Sequence, residues 1–440
     1  MSEASDKLSM SPSVASPQQS RLTFFRQSGW MVIATVAGGI FMYAVHKVAS
    51  KMPKAEYGVF TTLLQVYNQM LIPSLGLMTI FAQQSVVAFT DAQRRQLTAA
   101  VRAVALAGFL LWLIMAALVF VFRADLLALW KITNPAALWV TLVIGLVSIW
   151  VPITMGILQG QQNFLWLGWT AIFNGLGRFV AISIIVLLLG GWAAGAMTGA
   201  LIGALIALAV GLWYTRRVWL GSSTRFEWRP WLERVLPLTL GLGASQFMMS
   251  ADMIVVQSIF DKEITPFYGA AGMIGRALVA FTAPLMAVMF PKIARSAARA
   301  EKTNVLAQAL GATALLGGAA ALGCTILPEL PLRMVYDKSF LVIAPLVPWF
   351  AWCMLPLTLA NVLISSLLAR ARYEAVPWLL LVAAGYGMTL LYLSPHFVAA
   401  GQPRGFAMVV QTLGGFSLLL LGVASWFAWR RQPPATLPLN

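Results

Sequence analysis

Apolar runs of about 20 residues, separated by short polar stretches, recur along nearly the whole chain. Each is long enough to cross ~30 Å of hydrocarbon as a helix. They fall near 28–49, 58–82, 103–122, 136–158, 165–189, 192–214, 235–259, 267–290, 305–327, 341–368, 376–394 and 405–429. A lone apolar run must satisfy its own backbone polar groups, so these spans are helical; a barrel would show ~10-residue alternating strands instead. The longest basic polar break, TRRVWLGSSTRFEWRPWLER at 215–234, divides the spans six and six. The pattern predicts an all-α polytopic membrane protein of about twelve transmembrane helices in two lobes. The N-lobe covers 21–214, the linker 215–234 and the C-lobe 235–429. Residues 1–20 are rich in Ser, Pro and Gln and read as a disordered tail rather than a cleaved signal peptide; 430–440 form a second tail.

The two halves echo each other. KAEYGVF, with Tyr57-Gly58, opens the second span, and ITPFYGAAG, with Tyr268-Gly269, opens the eighth. GILQGQQNFLWLGW joins spans four and five, as SSLLARARYEAVPW joins spans ten and eleven. Tyr57 to Phe164 is 107 positions and Tyr268 to Tyr373 is 105. Six spans per repeat is even, so the repeats lie parallel in the membrane, a common transporter plan.

Charge then sets orientation. The chain is 60% apolar, with 10% charged residues and a formal net charge of +16. Its basic residues sit in short loops, which points to topology signalling and attraction to anionic lipids rather than to nucleic acid. With the N-terminus inside, 19 basic residues fall on the inner side, 9 on the outer side, and Arg178 and Arg276 within spans. Both termini are therefore expected in the cytoplasm.

Ionisable groups within spans are costly, ~2.5–3.5 kcal/mol at the bilayer centre on insertion scales, and usually face a partner or an aqueous cavity. Arg178 (NGLGRFVA), Arg276 (GMIGRALVA) and Asp252 are the clearest. The arginines suit a pyrophosphate, because guanidinium is a planar fork that stays charged when desolvated. Against this stands an internal Arg276–Asp252 pair with Arg178 snorkelling to an interface. Asp252 is read as a proton or cation coupling site or as the charge partner of Arg276.

Gln65, Asn68 and Gln69 share one helix face and could meet sugar hydroxyls or serve as interhelical glue, with Gln246 a candidate of the same type. His46 and Lys47 are candidates for an outer basic ring, or for an interfacial anchor. Gly195, Gly199, Gly203, Ala207 and Gly211 give span six a small-residue packing face. Pro73, Pro284 and Pro356 are expected to kink their spans. Cys324 and Cys353 read as buried thiols. No P-loop, GxSxG or HExxH motif is present, and the acid pair at Asp261–Glu263 stands alone, so neither catalytic residues nor a metal or cofactor is expected.

From about residue 21 to 429 the chain resembles the polysaccharide-transporter (oligosaccharide flippase) family of the multidrug/oligosaccharidyl-lipid/polysaccharide (MOP) exporter superfamily. AEYGVF, GILQGQQNF, LLARARY and the stretch from PLTLGLGASQFMMSADM through Tyr268-Gly269 to Phe290-Pro291 carry the likeness in order and spacing. Where the family often has Leu-Gly-Pro before Glu-Tyr-Gly, this chain has KMPKAEYG. The resemblance implies two six-helix lobes in a V around a central cavity, alternating access, and a polyprenyl-pyrophosphate glycan as substrate. It implies a bacterial inner-membrane flippase for surface polysaccharide, acting as a monomer alongside glycosyltransferases or a glycan polymerase. The other readings are a cation-coupled multidrug exporter of the same superfamily, a membrane-embedded glycan enzyme and a non-transporting scaffold.

Overall fold

The structure, a computed structural model, describes residues 17–277, 279 and 305–430. The outer parts of both tails lie outside the described residues. So do the second half of span eight, with Pro284 and Phe290-Pro291, and the basic residues Lys292, Arg295, Arg299 and Lys302.

The elements run α1 (Pro17–Ala49), α2 (Lys54–Met70), α3 (Ile72–Val86), α4 (Asp91–Val121), α5 (Arg123–Leu129), α6 (Ala136–Gly160), α7 (Phe164–Leu187) and α8 (Trp192–Leu220). After these come α9 (Trp228–Ile259), α10 (265–277), α11 (Val305–Ile326), α12 (Glu329–Val335), α13 (Leu346–Ala369), α14 (Val376–Tyr392), α15 (Ser394–Ala400) and α16 (Arg404–Trp429). Among the described residues, ten helices are long and apolar enough to cross a membrane. The chain is thus a multi-pass helical membrane protein. The two remaining expected spans are the second, which is split, and the eighth, which is helical over 265–277.

Span two breaks at Leu71, so neither α2 nor α3 alone is long enough to cross. Pro73 is the cause: it lacks an N–H and its ring clashes with the carbonyl four residues earlier. Pro356 instead lies inside the continuous α13. Other boundaries also differ from expectation. The first helix begins at Pro17, so the tail is shorter than 1–20. Of the 215–234 linker only 221–227 is non-helical, because α8 and α9 extend their turns through its basic ends, where arginines tolerate both helix and water. The third span starts at Asp91 rather than near 103. A capping box fixes that start: Thr90 Oγ1 accepts from Gln93 N at 3.3 Å, and Gln93 Oε1 accepts from Thr90 N at 3.0 Å.

Small residues set the N-lobe packing. A Cβ on Gly199 would come within 2.3 Å of Ile182, and one on Gly203 within 2.5 Å of the Asn174 carbonyl, so α7 and α8 approach closely only because these positions are glycine. Gly211 meets Thr154 on α6 in the same way. In the C-lobe, Gly414 on α16 closes on Cys353 of α13.

The lobes meet chiefly along span two and span seven, where α2 and α3 both lie against α9. Gly58 faces Pro266 and the Gln257 side chain, while Gly269 faces Thr61. The two repeated Tyr-Gly landmarks therefore sit against one another. We call the end of the bundle bearing residues 91–95 and 216–234 the basic end, and the end bearing Tyr57 and Tyr268 the opposite end.

Candidate functional site

Arg276 and Asp252 form a buried ion pair. Asp252 has no exposed surface and Arg276 is 6% exposed. Arg276 Nη2 donates to Asp252 Oδ1 at 2.6 Å, and its Nε donates to the Met249 carbonyl at 2.7 Å. Tyr268 Oη donates to the other carboxylate oxygen, Oδ2, at 2.8 Å. Helix geometry explains the meeting. Met249 and Asp252 are three apart on α9, and Tyr268 lies two turns before Arg276 on α10, so both pairs share a face. Gly272, one turn before Arg276, leaves the space its guanidinium fills: a Cβ there would lie 2.4 Å from Nη1. That Nη1 is buried and has no hydrogen-bond partner.

Arg178 is 4% exposed, so it does not snorkel. The glycine-lined contact of α7 with α8 and α1 holds it inward, where Nη1 makes only a 3.6 Å contact to Met42 Sδ and the buried Nε has no partner. No salt bridge to Arg178 occurs among the described residues. His46 lies within electrostatic range of both arginines, and Tyr67 within range of Arg178. Among the described residues, two guanidiniums and one carboxylate are buried, and the carboxylate is paired with Arg276, so one of the two positive charges has no buried acid beside it.

The polar face of span two is partly committed. Gln65 is buried and accepts from Asn68 Nδ2 at 3.0 Å. Gln69 Nε2 donates across the lobes to the Phe247 carbonyl at 3.2 Å, while its Oε1 is buried without a partner. Gln246 is half-buried on α9. His46 and Lys47 do not form one ring. Neighbours on a helix point about 100° apart. His46 is accordingly buried against Tyr57 Oη at 3.1 Å, whereas Lys47 is exposed and donates to the Met334 carbonyl at 2.8 Å.

A seal at the opposite end was not anticipated. Tyr57 Oη meets Tyr336 Oη at 2.7 Å across the lobes. Lys131 Nζ donates to the carbonyls of Gln257 (3.0 Å) and Phe260, capping the C-terminal end of α9, and Gln257 Nε2 donates back to the Trp130 carbonyl at 2.9 Å. Burial lowers the pKa of Lys131 and Asp261 opposes that shift; burial likewise raises the pKa of Tyr336. The repeated Tyr-Gly was the one signal of this seal, since it marked both faces of the contact.

The family model described as "Polysaccharide biosynthesis protein" matches residues 25–297. No curated protein sequence matches the chain significantly. Among solved structures, an inward-facing multidrug resistance MATE transporter of the MOP superfamily aligns with TM-score 0.68 at 12% identity, covering 90% of this chain and 93% of that one. The lipid II flippase MurJ, in an inward closed conformation, aligns with TM-score 0.66 at 14% identity, covering 90% and 86%. A MOP superfamily transporter from Pyrococcus furiosus aligns with TM-score 0.57 at 15% identity, covering 92% and 94%. These likenesses show that the chain shares the fold of these proteins.

Proposed function

The chain belongs to the polysaccharide biosynthesis protein family, and from that premise we propose that it flips a polyprenyl-pyrophosphate-linked oligosaccharide across the bacterial inner membrane. A diphosphate sugar cannot cross hydrocarbon unaided, because an isolated anion loses its hydration there. The observation that carries this reading is the excess buried positive charge among the described residues: Arg178 without a carboxylate, and Arg276 with an Nη1 that has no hydrogen-bond partner beyond its Nη2 bond to Asp252. Those groups are fitted to phosphate oxygens. Asp252 positions Arg276, and Gln65, Asn68, Gln69 and Gln246 contribute sugar-facing polar groups. The lipid tail stays in the bilayer while the lobes rock, exposing the head group to either side. The bias of basic residues supports both termini in the cytoplasm, with the seal on the outer side.

A cation-coupled drug exporter would need buried acids in excess, whereas Asp252, the one buried acid among the described residues, is paired with Arg276 and accepts a hydrogen bond from Tyr268. The site offers no nucleophile–base pair, and among the described residues no cluster of metal-ligating side chains occurs, which gives the enzyme reading no support. Purified protein in liposomes with a labelled polyprenyl-pyrophosphate oligosaccharide tests the proposal. Head groups should reach the far leaflet faster than in protein-free vesicles, and equal rates end the claim.

A further inference from the structure

At the basic end, a cavity of about 290 Å³ opens between the lobes, remote from the arginine pair. Along α9, Trp231 in its wall is 21 residues from Asp252, roughly 32 Å at 1.5 Å per residue. One wall comes from the N-lobe, through Gln84 of α3 and Gln93 and Gln96 of α4. The other comes from the connecting segment and α9, through Arg225, Trp231 and Arg234. Arg102 holds that segment in place, donating to the Trp219 and Gly221 carbonyls at 2.9 Å each.

The lining is suited to an anion. Arg225 and Arg234 outweigh Glu227, the acid in the wall. Gln93 spends its carbonyl on the Phe89 and Thr90 amides, which leaves its NH2 group to donate. Trp231 is buried, and its indole N–H has no partner. The surroundings are suited to acyl chains. Val87 lines the mouth and is exposed, with Val86 and Phe89 exposed beside it. Phe226, Trp228 and Trp231 form an edge-to-face aromatic cluster of the kind found at headgroup level.

We propose that this inter-lobe cavity binds the phosphate of an anionic phospholipid headgroup, with Arg225 and Arg234 supplying the charge and the acyl chains lying over Val86–Phe89. Basic pockets between transmembrane helices hold such headgroups elsewhere. Because the walls come from both lobes, a bound lipid favours this lobe arrangement and is favoured by it.

Native mass spectrometry of the full chain, purified with phosphatidylglycerol and phosphatidylcholine, tests the site. Phosphatidylglycerol should be retained preferentially. R225Q/R234Q should weaken its retention about five- to thirtyfold, from ~1 kcal/mol per arginine. E227Q, which removes the opposing acid, should strengthen it, so the outcome does not hang on a variant that fails to fold. R216Q, on the same end but outside the cavity, should change nothing. Equal retention of both lipids, a wild-type result for R225Q/R234Q, or an equal loss in R216Q overturns the proposal. Displacement of the lipid by inorganic phosphate at matched concentration also overturns it, since the cavity would then be a free-anion site.

Discussion

Replacing Asp252 by Asn, Arg276 by Met, and then both together separates the structural use of the ion pair from its use in transport. With charge centres about 4 Å apart, an effective dielectric of 20 gives an attraction of about 4 kcal/mol. Breaking a buried pair from one side typically costs about 3–5 kcal/mol, because the remaining charge is left uncompensated. D252N strands the charge of Arg276, which is left with neutral acceptors only, the Met249 carbonyl and the Asn amide oxygen. R276M strands Asp252 on the Tyr268 hydroxyl. Each single variant should therefore lower the thermal midpoint in detergent sharply, and D252N/R276M should recover most of the loss, since a neutral pair carries no uncompensated charge. Transport should behave differently. The double variant has regained stability but lost the guanidinium that meets the diphosphate, so flipping should stay at least about tenfold down, the ~1.4 kcal/mol of one lost charge-assisted bond. Wild-type flipping by the double variant would refute Arg276 as a phosphate ligand, and unchanged midpoints in both single variants would refute a desolvated pair.

Three further outcomes follow from the packing and the seal. Tyr336→Phe removes the inter-lobe bond to Tyr57, worth about 1 kcal/mol, so cysteine probes at the Tyr57 end should label about fivefold faster; unchanged labelling would show that the bond does not hold the lobes together. Lys131 has a pKa lowered by burial, so as pH rises it loses its proton before exposed lysines do and its hold on the α9 carbonyls weakens first. The same probes should therefore label faster at alkaline pH in wild type but not in Lys131→Met. The unfolded chain holds that proton more tightly, so this group's effect on global stability runs the other way and rises with pH across the same window. Gly199→Leu drives a side chain into Ile182, where even a Cβ would lie at 2.3 Å, and should cost about 1–3 kcal/mol, read as a lowered thermal midpoint; an unchanged midpoint would mean that α7 and α8 are not closely packed.

Span number, helical class and the Tyr-Gly repeat were legible in the sequence because each rests on local run length or spacing. The acid and two arginines within spans were legible for the same reason: charge in an apolar run is conspicuous. Their pairing was not, since residues 252 and 276 lie on different helices and only tertiary packing decides between pairing and snorkelling. Arg178 shows this most clearly, as the glycines of α8 rather than its own neighbours determine that it points inward. The sequence offers His46 and Lys47 together as an outer basic ring or an interfacial anchor, yet helix geometry turns the two apart. Lys131 is one of nine basic residues on its side in the sequence; its capping of α9 depends on a contact across lobes that no local pattern encodes. The break at Leu71 was visible as Pro73, but Pro356 looked the same and left its helix continuous.

On the proposed function, buried guanidinium without a carboxylate partner among the described residues receives the diphosphate. The most direct test compares two carriers in the same proteoliposomes, one a polyprenyl-pyrophosphate oligosaccharide and the other the same oligosaccharide on a phosphate-free polyprenyl anchor. Wild-type protein should flip the first much faster than the second, and Arg178→Gln should shrink that preference by about tenfold, one charge-assisted contact at ~1.4 kcal/mol. Equal rates for the two carriers in wild-type protein would show that the buried arginines do not recognise a diphosphate.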